Sequence, residues 1–173
     1  MITYDDKLFC ILTSCEESIK SSRLVCYMYL FQSAGYDFNF RYNLSATGLK
    51  SKGLSNYIDL LVNEGKIETK RGTINPTSTG LELLDSFVLS LDEVEFHDYI
   101  LDVMKDVSFD DLYFIVVTDM VISETKKQKG VEGLISDRAV IEETVSHLSG
   151  VYSKENFDAA VKFLNIIRKG RLG

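Results

Sequence analysis

Leu54, Tyr57, Ile58, Leu61 and Val62 stand at the i, i+3, i+4, i+7 and i+8 positions of an amphipathic helix, which Asn63-Glu64-Gly65 ends. Directly after it, Lys66 to Thr69 and Thr73 to Asn75 flank Lys70-Arg71-Gly72, the pattern of a small hairpin whose turn needs glycine for its positive φ. Helix followed at once by a basic-tipped hairpin is the constraint from which the rest of the chain is read. Pro76-Thr77-Ser78-Thr79-Gly80 then leads into Leu81, Leu83, Leu84, Phe87 and Val88, so helix resumes by about Thr79 and a first unit closes near residue 90.

Upstream, Thr3-Tyr4-Asp5-Asp6 has the hydroxyl-to-carboxylate spacing of a capping box and precedes Leu8, Phe9, Ile11 and Leu12 at helical spacing. Ser21 and Ser22 are expected to cap a second helix, with Leu24, Val25, Met28, Leu30 and Phe31 on its apolar face and Gly35 as its stop. Phe38, Phe40 and Tyr42 alternate with Asp37, Asn39 and Arg41, which predicts a half-buried strand, and a loop carrying Gly48 and Gly53 follows. Helix, then basic-tipped hairpin, is the order of a winged helix.

The remainder reads as helical. Ser90-Leu91-Asp92-Glu93 and Ser108-Phe109-Asp110-Asp111 are capping boxes, opening segments that carry Val94, Tyr99, Ile100 and Val103, then Leu112, Ile115, Val116 and Met120. A polar loop is expected over Lys126 to Gly133. Ser136-Asp137 should cap a helix through Val140, Ile141, Thr144, Val145 and Leu148 up to Gly150. Ser153-Lys154-Glu155 opens a last helix bearing Phe157, Ala160, Val161, Leu164 and Ile167, with Arg168, Lys169 and Arg171 placed where cations favour the helix dipole. The expected class is α+β, mainly α: a winged helix over residues 1–90, then an all-helical unit over 91–173.

Composition narrows the function. Among 173 residues, 45% hydrophobic and 26% charged with mean hydropathy of zero, there is one proline and no low-complexity tract, which excludes collagenous and disordered classes. No apolar run approaches the 18 or so residues of a membrane span and Met1 to Lys7 lacks signal character, so a cytoplasmic protein is expected. Cys10, Cys15 and Cys26 lack CxxC spacing and a neighbouring histidine, and read as reduced core thiols.

The net charge of -7 is unevenly spread. Arg41, Lys50, Lys52, Lys66, Lys70 and Arg71 outnumber Asp59, Glu64 and Glu68, a basic island around the hairpin. Lys50, Lys52, Lys66, Lys70 and Arg71 are therefore candidate contacts to a DNA backbone. The helix before the hairpin offers Ser55, Asn56, Asp59 and Asn63 outward, and an aspartate facing phosphates makes sequence-specific reading unfavourable, so any DNA contact is expected to be weak. From Asp92 to Asp119 nine acids meet one base, Lys105, which suits docking on a basic protein surface; Asp98, Asp102 and Asp106 are the candidate contacts. Solvated faces are the plainer account of both charge runs. Tyr27 and Phe31, four apart on one helix face, are candidate interface aromatics, or else cover the seam between the two units.

Nothing in the sequence points to an enzyme. Glu93 with His97 and Glu143 with His147 have the i, i+4 spacing of metal-ligand pairs, but two histidines and no HExxH make helix-surface hydrogen bonds the better account, and no metal or cofactor is expected. Arg138 and His147 lie too far apart for an HEPN ribonuclease, and no phosphate-cradling Gly-Lys-Ser/Thr loop is present. No small-molecule substrate is expected.

Arg23 to Gly35 with Tyr36-Asp37-Phe38-Asn39-Phe40, Leu54 to Ile67, Pro76 to Gly80, Ser108 to Leu112 and Ser153 to Ile167 together resemble the YwgA-like group of small bacterial winged-helix proteins, which overlaps the middle components of ABC three-component (Lamassu-type) defence systems. Where relatives carry Gly-Pro after the strand, this chain reads Asn43-Leu44-Ser45-Ala46. The resemblance implies a non-catalytic accessory subunit in anti-phage or anti-plasmid defence, bridging an SMC- or Rad50-like ATPase and an effector nuclease. The alternative is a stand-alone winged-helix transcriptional regulator or antitoxin.

Overall fold

The computed structural model describes residues 9, 19–36, 38–87, 90–150 and 153–169. These form five short strands and seven helices in the order β1 (Ile19–Lys20), α1 (Ser21–Ala34), β2 (Asn43–Ser45), β3 (Gly48–Lys50), α2 (Lys52–Asn63), β4 (Ile67–Lys70), β5 (Thr73–Pro76), α3 (Ser78–Ser86), α4 (Leu91–Met104), α5 (Phe109–Ser136), α6 (Arg138–Ser149) and α7 (Lys154–Lys169). The chain is thus mainly helical with small antiparallel sheets. The Thr3–Asp6 capping box, most of the helix after it, Cys10, Cys15 and Arg171 lie outside the described residues.

The hairpin forms where the sequence places it. Arg71 (φ 51) and Gly72 (φ 77) make a two-residue turn with both central φ angles positive, the geometry that matches strand twist. It sets the register Lys70 opposite Thr73 and Thr69 opposite Ile74. β1 adds to the far side of β5, pairing Ile19 with Ile74, so the sheet order is β1-β5-β4. Ser21 and Ser22 do not cap α1, whose N-cap is Lys20 without a side-chain bond. Ser21 instead donates both its backbone N–H (2.9 Å) and its hydroxyl (3.1 Å) to the Gly72 carbonyl, tying the start of α1 to the turn.

Residues 38–42 are not a strand, against the expectation from their alternation. Asn39 sits at φ 58, and Phe40 spends its backbone on one side chain: its N–H donates to Gln32 Oε1 (3.2 Å) and its carbonyl accepts from Gln32 Nε2 (3.1 Å). Strand pairing starts only at Asn43, in the β2–β3 hairpin that replaces the expected loop, and Gly53 falls inside α2. Ser51 caps α2, accepting from the Leu54 N–H at 3.4 Å, and Gly65 (φ 69) closes it with the Lys66 N–H returning to the Leu61 carbonyl.

The entry to α3 requires glycine. Thr77 caps the helix by accepting from the Gly80 N–H (3.1 Å), and donates its hydroxyl to the Gly65 carbonyl (2.5 Å). This draws α3 so close to β4 that a Cβ on Gly80 would lie 2.1 Å from the Lys66 carbonyl oxygen.

In the second half, the capping box of Ser90 with Glu93 is complete, and Ser108 accepts from the Asp111 N–H at 3.1 Å. The loop expected over Lys126 to Gly133 is instead helical apart from Gly130, whose φ 70, ψ −170 only glycine adopts readily. Asp137 does not cap α6, because its carboxylate is taken by Lys129 Nζ at 2.5 Å. Gly150, left-handed at φ 70, stops α6 as expected.

Buried side chains of both halves belong to one cluster centred on α1. Leu24, Cys26, Tyr27, Met28, Leu30, Phe31 and Ala34 are all buried there, because α1 packs on β1, β3, α5 and α7. Phe157, Ala160, Leu164 and Ile167 form the buried stripe of α7. Among the described residues no helix is long and apolar enough to cross a membrane.

Candidate functional site

The five basic candidates sit at three places along the first half of the chain. Lys70 and Arg71 are at the tip of the β4–β5 hairpin, Lys50 and Lys52 flank the N-cap of α2, and Lys66 follows its C-terminal end. Two are locally neutralised: Lys66 pairs with Glu64 at 2.7 Å and Lys70 with Glu68 at 2.9 Å. Lys50, Lys52 and Arg71 are exposed and have no carboxylate partner among the described residues. Ser55, Asn56, Asp59 and Asn63 do form the solvent face of α2.

The acidic candidates are on the surface. Asp98 and Asp102 lie one turn apart on α4 and Asp106 follows just past its end, all exposed. Lys105 bonds Asp102, and that contact raises the lysine pKa above its ordinary value.

Tyr27 and Phe31 are not interface aromatics: both are fully buried. The helical tail supplies the walls that cover them. The Tyr27 hydroxyl accepts from Arg23 Nε (3.2 Å) and Nη2 (2.9 Å), and Arg23 also donates to the Met104 and Lys105 carbonyls. A guanidinium borrowed from α1 thus serves the C-terminal end of α4, whose last turn has no base of its own. Phe31 meets His97 edge-on at 5.3 Å, and Tyr36 stacks on Phe96 at 5.3 Å, so the aromatics fill the seam between the two halves.

The two spaced Glu/His pairs lie in different surroundings. Glu93 is held by the Ser90 N–H and hydroxyl, each at 3.0 Å, and His97 points inward, 6% exposed, its Nε2 without a hydrogen-bond partner among the described residues. Burial pulls the His97 pKa down to about 4, against a weaker upward pull from Asp98. His147 and Glu143 form an exposed pair at 3.8 Å. Among the described residues no group of three His, Cys, Asp or Glu side chains is placed to hold a metal. Cys26 is buried, and burial pushes its thiol up to about 12, so it is not a thiolate near neutrality.

One polar cluster escaped the sequence reading. Asp119, counted there among the surface acids, is 2% exposed between α1, α5 and α7. Its Oδ2 accepts from the Tyr29 hydroxyl at 2.8 Å and the Ser33 hydroxyl at 3.1 Å, and its Oδ1 accepts from Arg168 Nη2. Burial and the adjacent carboxylate hold the Tyr29 phenol far above its ordinary pKa. The cluster borders a cavity of about 220 Å³. A second, largely apolar groove of about 440 Å³ runs between α5 and α6, with Leu44, Met120, Val121, Val140, Ile141 and Leu148 on its walls.

No protein-family model, no curated protein and no solved structure matches this chain.

Proposed function

We propose that this chain is a non-enzymatic adapter working in the cytoplasm, a winged helix with a helical tail that docks on the larger subunits of a bacterial anti-phage or anti-plasmid defence complex. Its partners in this reading are an SMC- or Rad50-like ATPase and an effector nuclease, the effector being held idle until foreign DNA engages. The observation that supports it best is the exposed row Asp98, Asp102 and Asp106, whose ion pairing among the described residues is limited to Lys105 with Asp102. Exposed carboxylates of one sign attract and orient a basic partner surface. The winged-helix reading is supported by the sheet order β1-β5-β4, in which a strand lying before α1 pairs with the return strand of the hairpin that follows α2. Purification from the native host tests the proposal. Recovery of an ATPase and a nuclease is expected with the wild type and not with Asp98→Lys, Asp102→Lys, Asp106→Lys combined; equal recovery with both sinks the docking face, and recovery of neither protein with the wild type sinks the adapter.

A second reading, a stand-alone winged-helix regulator or antitoxin, is favoured by Lys50 and Lys52 at the start of α2 and Arg71 at the hairpin tip, exposed and without acidic partners among the described residues. It requires binding to the chain's own promoter with a steep salt dependence that flattens on Lys50→Ala and Arg71→Ala.

A further inference from the structure

The cavity between α1, α5 and α7 is lined by polar side chains throughout: Tyr29, Gln32, Ser33, Asp119, Ser123 and Arg168. We propose that it is a subsite for a small oxyanion of the phosphate class, held by Arg168 and Ser123, a site independent of the adapter reading. The assignment follows from which groups are already engaged. Asp119 accepts from Tyr29 and Ser33 on one oxygen and from Arg168 on the other, so it orients the guanidinium and does not receive a ligand itself. Gln32 has both ends of its amide on the Phe40 backbone and serves as wall.

Arg168, by contrast, uses only Nη2 among the described residues, toward Asp119 and toward Ser33 Oγ at 3.0 Å, which leaves Nε and Nη1 as donors on a side chain 43% exposed. Ser123 is half-buried one turn beyond Asp119 on α5, and its hydroxyl has no partner among the described residues. The free groups are therefore N–H and O–H donors. An apolar occupant leaves them unpaired, a cation meets the guanidinium, and an acceptor-rich anion matches the planar fork. The buried carboxylate offsets part of the guanidinium charge, so binding rests on directed hydrogen bonds to a pre-positioned group and is weak, with half-saturation by inorganic phosphate at roughly 1 mM.

The test is calorimetric titration and thermal unfolding of the whole chain in sodium phosphate against sodium chloride of equal ionic strength. A saturable heat is expected, with a rise in Tm of about 3–6 °C at twenty times the half-saturating concentration. Ser123→Ala, which removes a hydroxyl that bonds neither Asp119 nor α7 among the described residues, should weaken phosphate about fivefold, and Arg168→Lys, which keeps the charge but loses the fork, about tenfold. Because the Arg168 variant can also loosen α7, the Ser123 variant decides. A response matched by chloride, one that does not saturate, or unchanged affinity in Ser123→Ala overturns the site. A short DNA duplex should not displace phosphate from it, and displacement overturns the small-ligand assignment.

Discussion

The Tyr29 hydroxyl donates to Asp119 Oδ2 at 2.8 Å, joining α1 to α5 through a carboxylate that is 2% exposed and that Arg168 ties in turn to α7. Three helices meet on one buried charge, and such a group is tolerated only while its partners stay in place. Asp119→Ala leaves a phenol, a serine hydroxyl and part of a guanidinium without their acceptor and should cost about 2–4 kcal/mol in urea unfolding. Tyr29→Phe removes one bond and should cost about 1 kcal/mol. The double variant should show a coupling of at least about 0.5 kcal/mol; strict additivity would mean that the hydroxyl finds another partner.

The missing Cβ of Gly80 is the second stability prediction. A methyl group there meets the Lys66 carbonyl oxygen at 2.1 Å, backbone that cannot rotate away. Gly80→Ala must push α3 off β4 and should lower stability by about 2–3 kcal/mol, although alanine is the better helix former. In thermal unfolding, a Tm equal to or above that of the wild type would contradict the tight approach.

How far the sequence disclosed these features depends on the range over which each is determined. The α2 helix, the Arg71-Gly72 turn, the Ser90 and Glu93 capping box and the Gly150 stop are settled within a few residues, and each was legible. The alternation of Phe38, Phe40 and Tyr42 predicts a strand that does not form, because side-chain period says nothing of where the backbone bonds go, and those of Phe40 go to Gln32. Tyr27 and Phe31 are open to both an interface and a seam reading in the sequence because their cover comes from α4 and its neighbours, far along the chain. Asp119 was hidden most deeply: Tyr29, Ser33 and Arg168 lie 90, 86 and 49 residues from it. The local sign was an acid inside the run Ile115-Val116-Val117-Thr118-Asp119-Met120-Val121-Ile122, where a solvent-facing carboxylate has little surface to occupy.

The hairpin turn offers a test of geometry separated from charge. Arg71 and Gly72 both have positive φ, but a glycine reaches it without the Cβ strain an L side chain meets. Gly72→Ala should destabilise by about 1 kcal/mol, whereas Arg71→Asn should be neutral or slightly stabilising, since asparagine tolerates that region well. Circular-dichroism melts distinguish the two. Equal losses from both would mean that the turn is not of the two-residue kind with both central angles positive.

His97 makes stability depend on pH below neutrality. Its pKa falls from the ordinary 6.5 to about 4 on folding, chiefly because the ring is buried against Phe31 and Tyr36. The neutral form is the one the fold accepts, so between these values the unfolded chain binds more protons than the folded one. Stability from this source is therefore complete above about pH 6.5 and is lost as the pH falls, the loss levelling off at about 3 kcal/mol near pH 4. His97→Leu removes the titrating group while keeping an apolar side chain of similar bulk against Phe31. Urea midpoints measured from pH 7.5 to 4.5 should fall more steeply for the wild type than for the variant. Parallel slopes would show that the imidazole takes up its proton in the folded state at an ordinary pH.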